Sequence, residues 1–216
     1  MLLLHLSDIH GHLPWYRHLH RLARHFDLVV ITGDLLDREE DAPAVGEILA
    51  TLPAPLAVCS GNHEGRLGTA WLPTAWHGDG AAFEFGGRRW RCLPWAEPLP
   101  ADRGAGEIWL SHAPPSRSHV AVSRYGFDFG DDELGALCRR GRGPALVLCG
   151  HVHTPRHWQD RIGGTLALNP GSDRRAPLPP FNVVDLRRGI VTHHRNGHRR
   201  EQTALFARGG FPWPPR

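Results

Sequence analysis

Short apolar runs alternate with amphipathic stretches over the first part of the chain. Leu2–Leu6, Leu28–Thr32 and Leu56–Cys59 are bounded apolar runs too short for helices, and they predict buried strands. Between the first two, Leu13, Tyr16, Leu19, Leu22 and Phe26 recur near helical spacing, with Pro14 at the first turn. Residues 41–51 form a second helical stretch, opened by Asp41 and Pro43. The order strand, helix, strand, helix, strand predicts a parallel sheet with crossover helices.

The middle of the chain changes character. Ala82–Phe85, 89–93 and 107–111 predict strands joined by Gly- and Pro-rich turns, Gly86-Gly87 among them. Residues 131–140 predict a third helix and 146–149 a buried strand. The segments 157–162, 165–169, Phe181–Asp185 and 190–194 predict a terminal antiparallel meander, with Gly163-Gly164 as a tight turn. The expected fold is therefore α/β: two sheets packed as a sandwich, mixed parallel and antiparallel, with helices outside. One domain is expected over 1–208, followed by a surface tail at 209–216 that docks through Phe211 and Trp213.

Each of five strand-like runs leads into a polar block. The blocks are Asp8-Ile9-His10, Gly33-Asp34-Leu35-Leu36-Asp37, Gly61-Asn62-His63-Glu64, Ser111-His112-Ala113 and Gly150-His151-Val152-His153. Asp8, Asp34 and Asn62 fall at the carboxyl ends of parallel strands, where ligands gather in open α/β sheets. Asp8 and His10, and again His151 and His153, are two apart, a spacing that on extended backbone points both side chains one way. Carboxylate and imidazole donors suit manganese, iron or zinc better than calcium or magnesium, and the set holds no thiolate.

Composition adds little to this and removes some alternatives. A formal charge of +3 suits an anionic substrate without demanding nucleic acid, and no long basic stripe is visible. Every basic residue is arginine. No apolar run approaches a membrane span, and the N-terminus reads as a first strand rather than a signal peptide. The four cysteines lack a Cys-x-x-Cys spacing, and a reducing cytosol is the expected compartment.

The five blocks together resemble the calcineurin-like metallophosphoesterase superfamily, over nearly the whole chain from Leu3 to about Asp185. The resemblance implies a two-sheet sandwich flanked by helices and two divalent metal ions. One ion would be held by Asp8, His10, Asp34 and His153. The other would be held by Asp34, Asn62, His112 and His151, with Asp34 bridging. His63 would face the substrate as proton donor, and a hydroxide shared by the two ions would attack phosphorus. Asn169-Pro170-Gly171-Ser172 is similar to a stretch found in small bacterial members and is expected to turn near the site.

Around this set, Asp37 is expected to order the loop after Asp34 or support a histidine. Glu64 stands where many members carry aspartate and is expected to orient His63. His12 and Arg38 are candidate substrate contacts. Arg38 matches the phosphate-binding arginine of the protein-phosphatase branch, but Glu39 and the His151/His153 pair depart from that branch. The loops 65–80 and 113–129 would border the cleft and carry Trp71, Trp76, Arg117, His119, Arg124 and Tyr125. The leading reading is a phosphodiesterase acting on a small phosphorylated substrate. A protein- or nucleotide-type phosphomonoesterase is the alternative, and a non-catalytic scaffold is a second. The sequence leaves the oligomeric state open.

Overall fold

The computed structural model describes residues 1–72, 77–100, 104–196 and 198–205. Trp76, Phe211 and Trp213, with the expected tail 209–216, lie outside the described residues.

The first half runs β1 (Leu2–Leu6), α1 (Leu13–Ala23), β2 (Leu28–Thr32), α2 (Ala42–Ala50), β3 (Leu56–Cys59), in the predicted order. β4 (Ala82–Phe85), β5 (Arg88–Cys92), β6 (Ile108–Leu110), α3 (Asp132–Arg139) and β7 (Leu146–Leu148) follow. The chain continues as β8 (Gln159–Ile162), β9 (Thr165–Leu168), β10 (Phe181–Asp185), β11 (Ile190–Arg195) and β12 (His198–Ala204).

Two six-stranded sheets result, ordered β12-β11-β10-β1-β2-β3 and β4-β5-β6-β7-β9-β8. β1, β2 and β3 pair in parallel, as do β5, β6, β7 and β9. Parallel central strands are covered on both faces and so read as unbroken apolar runs. All five residues of β2 are buried.

The period of two along each strand sorts its side chains between layers. Leu3, Val30 and Ala57 face the second sheet and meet Trp90, Leu110, Leu148 and Leu168. Leu4, Val29, Ile31 and Val58 turn the other way, onto Tyr16 and Leu19 of α1 and Val45 and Leu49 of α2. Trp109, Val147 and Ala167 cover the far side of the second sheet beneath Leu134 and Cys138 of α3. The layers are helix, sheet, sheet, helix.

Two sequence expectations are corrected. The C-terminal segments do not form one meander. β8 and β9 form a hairpin through Gly163-Gly164 at the edge of the second sheet, while β10 pairs with β1 and β11 in the first. Antiparallel alternation signals a strand but not which sheet recruits it. β12 is an element the sequence did not announce: its His198-Arg199-Arg200-Glu201-Gln202 run carries no apolar alternation, and pairing with β11 makes it an edge strand.

One polar chain crosses the core. His193 Nδ1 donates to Asn182 Oδ1 at 2.9 Å, and Asn182 Nδ2 donates to His5 Nδ1 at 3.3 Å. That leaves His5 Nε2 to donate to Thr32 Oγ1 at 3.0 Å. Burial holds His5 at about 3 and His193 at about 4, so both rings are neutral near pH 7. Replacing Asn182 with leucine strands two buried ring nitrogens. We expect a loss of at least about 1–3 kcal/mol, measured by urea unfolding, with the metal-binding residues unchanged in type.

Candidate metal centre

The carboxyl ends of β1, β2 and β3 in one sheet and of β6 and β7 in the other converge on one edge of the sandwich. Asp8 and Asp34 are buried there, at 0% and 2% exposure, where a bare carboxylate is costly. Imidazoles surround them. His153 Nε2 lies 3.3 Å from Asp8 Oδ1. His10 Nε2 lies 3.6 Å from Asp34 Oδ2, and His112 Nε2 lies 3.4 Å from the same oxygen. Asn62 Oδ1 is 3.1 Å from His112 Nε2. The His151 ring sits 5.0 Å from that of His112.

The backbone that delivers these groups is not extended. Asp8, His10, Asp34 and His151 all have positive φ, at 54°, 49°, 50° and 67°. The two-apart spacing therefore works differently from the expectation. A left-handed residue folds the chain sharply after β1, β2 and β7, and this aims their side chains inward. His151 and His153 also part company: the His153 ring goes to Asp8, while the His151 ring stands edge-on to that of His112.

Glu64 holds this arrangement in place. It is fully buried, and its carboxylate accepts the backbone N–H groups of Asp34 and Gly61, at 2.9 and 2.7 Å, through Oε2 and that of Leu36, at 2.9 Å, through Oε1. Burial pushes its carboxyl up, while the Leu36 and Gly61 hydrogen bonds oppose the shift. The expectation that Glu64 orients His63 is corrected: its two oxygens face the main chain of the neighbouring loop instead. His63 is steered by Asp37, whose carbonyl lies 3.3 Å from its Nδ1 and whose carboxylate lies 4.0 Å away. Since a carbonyl only accepts, Nδ1 carries the proton and Nε2 is left to the cleft. The His63 backbone N–H donates to Asp34 Oδ1 at 2.9 Å.

The same logic sets His112. Its Nδ1 donates to the Thr32 carbonyl at 2.7 Å, so Nε2 faces Asp34 and Asn62. This carbonyl-fixed tautomer is how metal-binding histidines are commonly presented.

The stretch 169–172 proves structural. Asn169 Nδ2 donates to the Gly150 and Val152 carbonyls at 2.9 and 3.1 Å, gripping the loop that carries His151 and His153. Ser172 Oγ donates to the Asp8 carbonyl at 2.9 Å. Arg174, two residues on, was not singled out in the sequence. Its guanidinium meets Asp37 Oδ1 at 3.0 Å at the mouth of the site. An arginine of the Arg174-Arg175 pair carries no signal until the fold sets it beside Asp37.

Other candidates are more peripheral. Arg38 is exposed, and its backbone N–H binds Asp41. His12 caps α1 through its backbone, with its ring against Trp15. Trp71 packs against the α1/α2 core and donates to the Gly68 carbonyl. Arg124 and Tyr125 pair with each other.

The donor set fits a divalent cation. Oxygens or nitrogens of Asp8, His10, Asp34 and His153 lie within 4.8 Å of one another. His10 Nε2 faces His153 Nε2 at 3.1 Å, and buried His10 Nδ1 has no hydrogen-bond partner. Two ring nitrogens so close need a shared proton or a shared cation. Burial and then Asp34 and Asp8 act on His10, with burial winning and its pKa lowered, whereas the Asp8 hydrogen bond raises that of His153. Burial disfavours the Asp8 and Asp34 carboxylates, but hydrogen bonds from His153 and His112 respectively bring both below the ordinary range.

A family model described as calcineurin-like phosphoesterase matches residues 1–155. No curated protein matches by sequence. An archaeal phosphodiesterase of solved structure is 16% identical, with 90% of this chain and 99% of that one covered and a TM-score of 0.60. A phosphoesterase from E. coli is 18% identical over 95% and 100% of the two chains, with a TM-score of 0.57. A protein from Thermus thermophilus is 16% identical over 94% and 98%, with a TM-score of 0.59. At such identities the structures establish a common fold. No helix among the described residues is long and apolar enough to cross a membrane.

Two outcomes test the site. Burial works against a charged His112, but the Asp34 hydrogen bond and the charges of Asp8 and Asp34 raise it from 6.5 to about 9. The folded value exceeds the unfolded one, so this pairing stabilises fully below about 6.5 and is lost as pH rises towards 9. A metal must displace the same proton. Raising the pH across that interval should therefore lower the melting temperature of metal-free protein while tightening metal binding. Calorimetry in buffers of different ionisation enthalpy should register the released protons. Separately, a Cβ at Gly61 would collide with Asp34 Oδ1 and lie 2.9 Å from His112 Nε2. Gly61→Ala should weaken metal binding by about 10–100-fold, measured by competition with a chromophoric chelator.

Proposed function

The chain belongs to the calcineurin-like phosphoesterase family, and on that premise we propose that it is a two-metal phosphodiesterase acting on a small substrate. As a member it is a hydrolase of phosphoric esters. The observation that carries the finer reading is the convergence of Asp8, His10, Asp34 and His153 donors within 4.8 Å. Asp8, His10, Asp34 and His153 would hold one ion, and Asp34, Asn62, His112 and His151 would hold the second, Asp34 belonging to both sets. Manganese, iron or zinc suits these ligands, and bound there the ions supply Lewis-acid polarisation of the phosphoryl group and a nucleophile at neutral pH.

The chain's own residues do the rest. In the form that carries a proton on both nitrogens, His63, exposed at the mouth and edge-on to His10 at 4.5 Å, gives its Nε2 proton to the leaving oxygen and keeps the Nδ1 proton on the Asp37 carbonyl. Asp37 fixes its tautomer through the carbonyl. Arg174, held on Asp37, offers its remaining N–H donors to a non-bridging phosphate oxygen. Arg38, exposed on the loop after Asp37, and His12, at the start of α1, are further candidate contacts for the substrate. Glu64 and Asn169 keep the ligand loops from relaxing when the charge balance changes during the reaction.

Preference for a diester over a monoester is supported by space on two sides. A cleft of about 520 Å³ opens beside His153, and a pocket of about 260 Å³ opens beside His112. A phosphorus centred between them has room for two ester groups.

In an assay with bis(nitrophenyl) and mono(nitrophenyl) phosphate under manganese, the diester should turn over faster. His63→Ala should lower kcat by about a hundred- to ten-thousand-fold with metal content unchanged. Asp34→Asn should lose bound metal as well as activity. Equal loss of metal in both variants would sink the assignment of His63.

A further inference from the structure

Resting on the phosphoesterase reading, we propose that the pocket beside His112 receives a planar aromatic ester group of the substrate. It is lined by Leu93, Pro94, Trp95, Leu99, Ala113 and Phe129, and it shares His112 with the metal-binding cluster. It is therefore continuous with the site where phosphorus would sit.

Two rings form its walls. Trp95 lies 5.4 Å from the His112 ring and 5.3 Å from that of His151. Phe129 stands edge-on to His151 at 6.2 Å and is 49% exposed, a large apolar surface left to water at the mouth of a polar centre. Both backbones are anchored. The Trp95 N–H donates to Ser60 Oγ at 2.9 Å, beyond the end of β3, and the Phe129 N–H donates to the Ala121 carbonyl at 3.1 Å. Rings held this way present a ready stacking slot with little ordering cost.

The chemistry of the lining chooses the occupant. Among the described residues no arginine lines the pocket and its acids are Glu97 and Asp131, with Asp131 engaged in capping α3 through the Leu134 N–H. A second phosphate would be repelled there. The cleft across the centre carries Arg156 and Arg195 instead. An uncharged flat ring fits the first pocket, and a polar or anionic portion fits the second.

The test is calorimetric binding of phenylphosphonate and methylphosphonate to manganese-loaded protein. The two share the anionic head and differ only in the ring. Phenylphosphonate should bind about tenfold more tightly. That preference should vanish in Trp95→Leu and Phe129→Ala and persist in Tyr125→Ala, whose exposed ring does not line the pocket. Phe129→Ala alone decides the matter if Trp95→Leu fails to fold. Equal affinities in the parent protein, a preference that survives Phe129→Ala, or no binding of either phosphonate would overturn the proposal. Turnover of nitrophenyl esters, followed in the same preparations, separates the two readings. A ring preference without diester turnover upholds the pocket and removes the diesterase reading, and diester turnover without a ring preference does the reverse.

Discussion

Two buried carboxylates at the ends of adjacent parallel strands are the constraint around which this molecule is arranged. Asp8 and Asp34 stand where the sandwich excludes water, and neither can remain charged there without cations. Imidazoles stand against both, His153 on Asp8 and His112 on Asp34, and each contact is an ion pair when the ring is protonated. Metal ions would take over the same electrostatic duty with more charge. The site is thus poised between two ways of neutralising the same pair of anions, and proton and metal compete for it.

Geometry at this edge comes from hydrogen bonds that never touch a substrate. Glu64 ties the loop after β2 to the loop after β3, and Asn169 and Ser172 tie the loop after β7 to the loop after β1. Each tie satisfies polar backbone that the sharp post-strand turns leave unpaired inside the protein. Close packing of small residues completes the set: a side chain at Gly150 would run into Ser7 and Asp8, and one at Gly33 into His112. The glycines preceding Asp34, Asn62 and His151 are there because other loops pass within touching distance.

Much of this was legible in the sequence. The strands β1, β2 and β3 stand out because both faces are buried, so their runs are apolar apart from His5 and Thr32 and their polar endings are abrupt. The five blocks named the residues that the fold brings to one edge. What stayed hidden has a physical reason in each case. Arg174 and Glu64 act across loops, and nothing local marks a guanidinium that will meet Asp37 or a carboxylate that will accept N–H groups thirty and twenty-eight residues away, at Asp34 and Leu36. Trp95 sits in a Pro-flanked turn without periodicity. β12 is polar throughout its first half and becomes a strand only because β11 offers a free edge. The left-handed residues were invisible because aspartate and histidine adopt that conformation without announcing it as glycine does.

Those left-handed residues have one more consequence. Four of the proposed ligands occupy a backbone region that β-branched side chains enter only with strain, while asparagine, aspartate, histidine and glycine enter it readily. Drift at these sites is therefore channelled. An inactivating change that the fold tolerates will tend to exchange one small polar donor for another, leaving a cradle that still resembles the original. A relative with a damaged centre would then keep its architecture, and reversion would be a single step away.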